Sequence, residues 1–516
     1  MLRATILAMT NEANTADPRG APPARVAWLA FIGVLVVSFA LAVFALRARS
    51  VRDPHAAAVL LVVPFENLTG DRESDVWCDG LTEEVISELA SADPRRLYVI
   101  GRTTSMAYRA AHEPLREIRG KVNADYALEG AVRKVGDLRR VTAQLYRLRE
   151  ETPVWAAAFE TTGTDVLSIE RTLLAHLVGS LGLALDLTEM RAPPPSAAQE
   201  ALAKARYLSG KNDASAMGAT LAAFEEALRI DPDNAAAWSE LAVTYDTAGS
   251  LSAVAAMDKS CAAARRAHDL SKREVLAETM LAGCALQRDW DFAAAESAFE
   301  SALAKAPGLA AAHQRYAAFL SAAGRHREAS RTMERAKSLD PLSPAVASDA
   351  GWHAYLGRDY PAAIRELSRA LELEPKDTLS REHLMMARAL SGDATGASNE
   401  ARLWASMFAL TDEEKTSLVA AAPADAVRRT TEVTAQRMAA LAKAGDKRPH
   451  PGFIAVKYAG AGDKEETLAW LERAASEHAP QLLALLRDPR LDWVRADTRF
   501  IALLERTHLP AEEPRP

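Results

Sequence analysis

WDFAAAESAFESALAKAP (290–307), GRHREASRTMERAKSLDP (324–341) and RDYPAAIRELSRALELEP (358–375) can be laid over one another without a gap. Each ends on a proline, so Pro307, Pro341 and Pro375 stand 34 residues apart. Ala295, Ala329 and Ala363 fall in register, and so do Ala302, Ala336 and Ala370 seven positions later. Phe299, Met333 and Leu367 fill the larger position between them. Apolar residues at three- and four-residue steps read as an amphipathic helix, and proline ends it. Upstream, Phe224 and Ala227 keep the register and Thr220 departs from it. Pro232 lies 75 residues before Pro307, two periods and seven residues more. A period of this size predicts paired helices that bury their faces only by stacking on neighbours.

The period and its closing proline resemble the tetratricopeptide repeat (TPR). After Pro232, Trp238, Leu241, Tyr245 and Gly249 hold that family's positions 4, 7, 11 and 15, and Gly283 and Gly351 hold its small position 8. The reading places an all-α TPR array at 199–410, with units near 199–232, 235–270, 274–307, 308–341, 342–375 and 376–410. Residues 411–449 read as an irregular helical connector, and 450–510 as a terminal hairpin and cap. A terminal unit has to shield the last apolar face of such an array.

In TPR proteins partners lie against the first helix of each pair. That resemblance carries a binding role onto Asp246, Gln287, Arg288, Gln314, Trp352 and Tyr355, with Ser239, Val243, Met280, Cys284, Ser321 and Ser348 on the same face. Trp352 and Tyr355 are the best placed as anchors, because exposed aromatics often dominate interfaces; the alternative is that both pack within the array.

Before the array, RAPPPS (191–196) reads as a stiff linker, assigned to 191–198. Residues 56–190 have a different pattern. AVLLVVPF (58–65) and LYVIGR (97–102) read as buried strands around a helix over 76–90, with Asp79 as its N-cap. ADYALEGAVRKV, LRRVTAQLYRL and VWAAAFETT, separated by short turns, predict an antiparallel meander. Asp79, Glu83, Glu84 and Glu88 are expected to cap the helix and form a solvated acidic face. The ordered series VVPFENLTGDRE, DGLTEEVISELA, YVIGRTTSMAY and ADYALEGAVRKV resembles the TolB amino-terminal-like domain, which precedes TPR arrays in relatives of CadC-type regulators and class III nucleotidyl cyclases. The resemblance implies a binding module, a mixed sheet with helices on one side.

Val26–Leu46 runs 21 residues without a charge, enough at about 1.5 Å per residue to span a bilayer. It reads as an uncleaved anchor after a short tail, residues 1–25, too short for an output domain. Arg19 and Arg25 precede it and Arg47, Arg49 and Arg52 follow, so the positive-inside rule does not favour an outward body. The family resemblance places that body in the periplasm.

The chain has 516 residues, 49% hydrophobic but only 6% aromatic, and a net charge of −7. Alanine fills the difference, as suits close-packed helices. The acidic balance argues against nucleic acid as a partner. Three cysteines without a CxxC pair, Cys78, Cys261 and Cys284, are expected as buried thiols. HExxH, GxSxG, a phosphate loop and metal-spaced histidines are all missing from the sequence, so no enzyme, metal, cofactor or small-molecule substrate is expected. The expectation is a non-catalytic scaffold in the inner membrane, holding a protein or peptide in its TPR groove. The alternative is a regulatory subunit of a transcriptional or cyclic-nucleotide system.

Overall fold

The computed structural model describes residues 57–512 except 72, 110–114, 137, 163–165, 183–195, 210–215, 252–254, 408–409 and 447–448. The apolar stretch 26–46 lies outside the described residues. Among those described, no helix is long and apolar enough to cross a membrane.

Strands β1 (Ala58–Val62), β2 (Glu66–Asn67), β3 (Leu97–Val99), β4 (Tyr126–Val135), β5 (Leu138–Arg147) and β6 (Thr152–Thr162) form one mixed sheet, ordered β3-β1-β4-β5-β6. β1 runs parallel to β3 and β4, and β2 pairs parallel to β4. β4, β5 and β6 are antiparallel, the meander that their short turns predict. Alternation along β1 splits the core: Leu60 and Val62 face α1 (Glu73–Ala92) and α4 (Val166–Ser180), whereas Val59 and Leu61 face α3 (Leu115–Lys121) and Tyr108, the residue after α2 (Arg102–Ala107). Helices therefore cover both sides of the parallel edge, not one. The second core is completed by Leu342, a residue 280 positions beyond β1 that belongs to the helical array.

Six antiparallel helix pairs follow: α5 (Ser196–Ser209) with α6 (Met217–Ile230), α7 (Ala235–Leu251) with α8 (Ala255–Leu270), α9 (Val275–Gln287) with α10 (Phe292–Lys305), α11 (Ala310–Ala322) with α12 (His326–Leu339), α13 (Pro344–Leu356) with α14 (Tyr360–Leu373), and α15 (Thr378–Leu390) with α16 (Ala394–Ser406). This is a TPR-like solenoid. Asp291, Asp359 and Asp393 each begin a second helix by accepting a backbone N–H. Ala295, Ala302, Ala329, Ala336, Ala363 and Ala370 are all fully buried, because paired helices meet closely there. A Cβ on Gly351 would come within 2.4 Å of Leu367 Cγ, so glycine is needed at that crossing. The same reading fails for Gly283, where an added Cβ would touch nothing within 4 Å. Six of the seven residues in excess of the 34-residue period sit in α7 and α8, which run 17 and 16 residues against 13 and 14 in α11 and α12.

Beyond the pairs lie α17 (Asp412–Ala420), α18 (Pro423–Lys443), the hairpin α19 (Pro451–Ala461) and α20 (Lys464–Ser476), the single turn α21 (Leu482–Leu485), a 3-10 turn at Pro489–Val494, and α22 (Thr498–Arg506). The connector 411–449 is thus largely regular helix, α18 alone taking 21 residues.

The α/β module is bonded to the array through backbone groups. Gly101 N–H donates to Leu339 C=O, and Thr104 N–H to Asp340 Oδ1, each at 2.8 Å. Leu342 N–H donates to Thr104 Oγ1, also at 2.8 Å. The acidic side of α1 is part of the same joint. Arg206 of α5 is 6% exposed and pairs with Glu84 and with Glu240 of α7, while Arg102 pairs with Glu83. Glu83 and Asp79 are buried, and Asp79, inside a helix that starts at Glu73, pairs with Arg109. The expected solvated acidic face and Asp79 cap are therefore corrected: these carboxylates are the module's attachment to the solenoid and to its own surface loop.

Candidate functional site

The first helices α9, α11, α13 and α15 present one face, and the chain's own C-terminal segment lies against it. Gln287 Oε1, at the end of α9, accepts from Gln481 N–H at 3.2 Å. Trp290 stacks on His478, their rings 4.3 Å apart. At the end of α11, Ala322 C=O accepts from Arg487 Nε at 3.0 Å. On α13, Tyr355 donates its hydroxyl proton to Asp488 Oδ1 at 2.9 Å. Arg358, just after α13, pairs with Asp492 at 2.5 Å. On α15, Glu382 receives Lys457 at 2.6 Å and Arg490 at 3.3 Å. Apolar residues close the remaining space: Leu286, Phe319 and Val346 share a buried cluster with Ile454, Leu485 and Phe500.

This arrangement changes the reading of the anchors. Tyr355 is fully buried and Trp352 is stacked on Tyr355 and His383, at 5.4 and 4.2 Å. Of the two readings of these rings, peptide anchors or packing within the array, the second describes their contacts, and the C-terminal segment lies over them. The other named residues are engaged within the chain. Asp246 pairs with Arg315 at 2.8 Å, Gln314 donates to Asp349 at 2.6 Å, and Arg288 pairs with its neighbour Asp289. Ser348 and Ser380 hydroxyls are bonded at 2.7 Å across α13 and α15.

Four residues outside the expected binding set come together here: Glu382, Lys457, Asp488 and Arg490. All four are buried and form one charged cluster with the Tyr355 hydroxyl. Burial by itself raises the Glu382 carboxyl, but the Lys457 and Arg490 charges outweigh it and bring it down to about 2. The cue was present in RDPRLDWV (487–494), where charges are interleaved with Leu491 and Val494, themselves buried. Nothing in the spacing says that these charges meet Glu382, more than 100 residues earlier.

Cys261 and Cys284 form a disulfide between α8 and α9, with Cα atoms 5.9 Å apart. The expectation of three unpaired thiols fails because both lie on facing helices, buried with Met257. Cys78 stays free, and burial, then Asp79 and Asp75, push its thiol up to about 12, so it is no nucleophile near neutral pH. Among the described residues no group of three acidic, histidine or cysteine side chains is placed to hold a metal. A surface groove of about 480 Å³ opens between α6, α7 and α8.

A tetratricopeptide-repeat family model matches residues 286–348, from the end of α9 into α13. A curated relative, "Putative adenylate cyclase 3" of Rhizobium meliloti (strain 1021), is 26% identical over 189 residues, 36% of this chain and 32% of the relative. The chain thus spans about a third of that protein's length. Similar solved structures include the human IFIT1 dimer with PPP-AAAA, 16% identical over 60% of this chain and 78% of that one, TM-score 0.37. Another is Pseudomonas aeruginosa PilF, 14% identical over 53% and 98%, TM-score 0.31. At these scores neither likeness bears on function. The chain contains tetratricopeptide repeats, with a mixed-sheet module bonded to α5 and to the turn between α12 and α13, and its own tail folded back along α9 to α15.

Proposed function

We propose that this protein is a non-catalytic interaction scaffold, anchored in a bacterial inner membrane by residues 26–46, with the module and solenoid in the periplasm. The observation that carries the scaffold reading is how the buried charges are used. The Glu83–Arg102, Arg206–Glu240 and Glu382–Lys457–Arg490 pairs all hold one element against another. They hold the array against the module and the tail, which supports a structural use of these charges. The periplasmic side is supported by the Cys261–Cys284 bridge, since disulfides persist in oxidising compartments. The TolB-like relationship of residues 57–187 rests on the sequence resemblance.

A second reading, a regulatory part of a cyclic-nucleotide system, is favoured by the 26% identity to a protein named as an adenylate cyclase. Two measurements decide. Alkaline phosphatase fused after residue 190 is expected to be active, with a cytoplasmic reporter at the same point silent; the reverse result would sink the periplasmic placement. Purified full chain given ATP and manganese is expected to form no cyclic AMP. Turnover above a heat-killed control would overturn the non-catalytic reading.

A further inference from the structure

We propose that the open groove between α6, α7 and α8 binds an acidic peptide segment carrying apolar anchors. The proposal deepens the scaffold reading and rests on it. The tail covers the first helices α9, α11, α13 and α15, and the groove lies outside that cover. The groove lies over α7 between two successive second helices, α6 and α8. Leu241 and Tyr245 of α7, both buried, and the half-buried Trp238 form its floor. Its α8 wall is low because Ala262 and Ala263 stand there, which lets a peptide backbone approach closely.

The rim chooses the sign of the occupant. Arg229, Lys259 and Arg266 line the groove against one carboxylate, Glu225, and that carboxylate accepts the Tyr245 hydroxyl at 2.6 Å. Lys259 lies over the Tyr245 ring, 5.3 Å from its centre. Arg229 and Arg266 are already on carboxylates, Glu226 at 2.7 Å and Asp233 at 3.0 Å. Both pairs are highly exposed, and such pairs are worth about 0–1 kcal/mol, so an incoming carboxylate can replace them at little cost. A peptide fits better than a nucleic acid. The apolar floor calls for side-chain anchors, which a peptide supplies. From Lys259 to Arg266 the α8 wall is about two helical turns long, matching apolar residues at i, i+4 and i+7 of a bound helix.

The test uses the full chain and a fluorescent amphipathic peptide with Leu at i, i+4 and i+7 and Glu between. Its Lys-for-Glu counterpart and an oligodeoxythymidine serve as competitors. Saturable binding with at least tenfold preference for the Glu peptide is expected, lost or reversed in K259E/R266E. Ala262→Trp, at an exposed position, should block the groove and abolish binding with an unchanged melting temperature. Equal affinity for the two peptides, a stronger oligonucleotide, or indifference to both variants would overturn the proposal. A photoreactive side chain at Ala262, compared with one at exposed Leu403, separates this failure from that of the scaffold reading. Cross-links only from Leu403 would remove the groove and leave the scaffold. None from either position would remove both.

Discussion

The hydroxyl of Tyr355 donates to Asp488 Oδ1 across 133 residues of sequence, in a site with no solvent access to either side chain. This bond ties the centre of the helical array to the turn that closes the chain. Tyr355→Phe keeps the ring and removes the donor, and Asp488 retains Arg490. We expect a loss of about 1–2 kcal/mol in urea unfolding, with faster amide exchange over 482–494. Unchanged exchange there would mean that the tail is held by its apolar contacts alone.

Glu382 is the acceptor for two cations in the same cluster, Lys457 and Arg490. Lys457→Met removes one and leaves the carboxylate buried with the other at 3.3 Å. Breaking a buried pair in this way costs about 3–5 kcal/mol. Adding Glu382→Gln to Lys457→Met is expected to recover part of that loss. A double variant less stable than the single one would contradict the pairing.

The Cys261–Cys284 bridge closes a loop of 23 residues. C261S/C284S is expected to lose roughly 3 kcal/mol, mostly through a freer unfolded chain. Intact mass of the wild type under non-reducing conditions should be two hydrogens lighter than after reduction. Equal masses would show that the thiols are free.

Gly101 sits where the module meets the array, and a Cβ there would lie 2.4 Å from Asp340 Cγ. Gly101→Ala should therefore cost about 1–3 kcal/mol and raise exchange at both 102–107 and 339–343. An effect confined to the module would mean that the joint is not shared.

Stability should fall on acidification below pH 6.5. Burial lowers His353 to about 3 and holds His383 and His450 at about 4, so the unfolded chain takes up protons that the folded one refuses. The contribution of these neutral imidazoles is present above 6.5 and lost as pH falls toward 4. Glu382 adds a second loss between 4.5 and about 2, where its folded carboxylate resists protonation. Neither ring nitrogen of His353 has a hydrogen-bond partner, so His353→Phe should flatten the slope between pH 6.5 and 4 without loss at pH 7. An unchanged slope would show that His353 does not titrate differently on unfolding.

Sequence alone determined the local order of this protein. Proline spacing and the buried alanines at one register specify paired helices, because steric demands at a helix crossing repeat with the helix. The valine-rich run and the short turns specify strands in the same local way. Tertiary structure decided what those surfaces meet. The acidic row on α1, read as solvated, is an attachment because Arg206 arrives from more than 100 residues away. The disulfide exists because α8 and α9 face each other with cysteines opposed. Trp352 and Tyr355 carry the composition of a binding face, and composition is the same whether the occupant is a partner or the chain's own end. The path of residues 451–506, folding back along four successive first helices, fills that face, and a contact so far apart in sequence leaves no periodic trace to read.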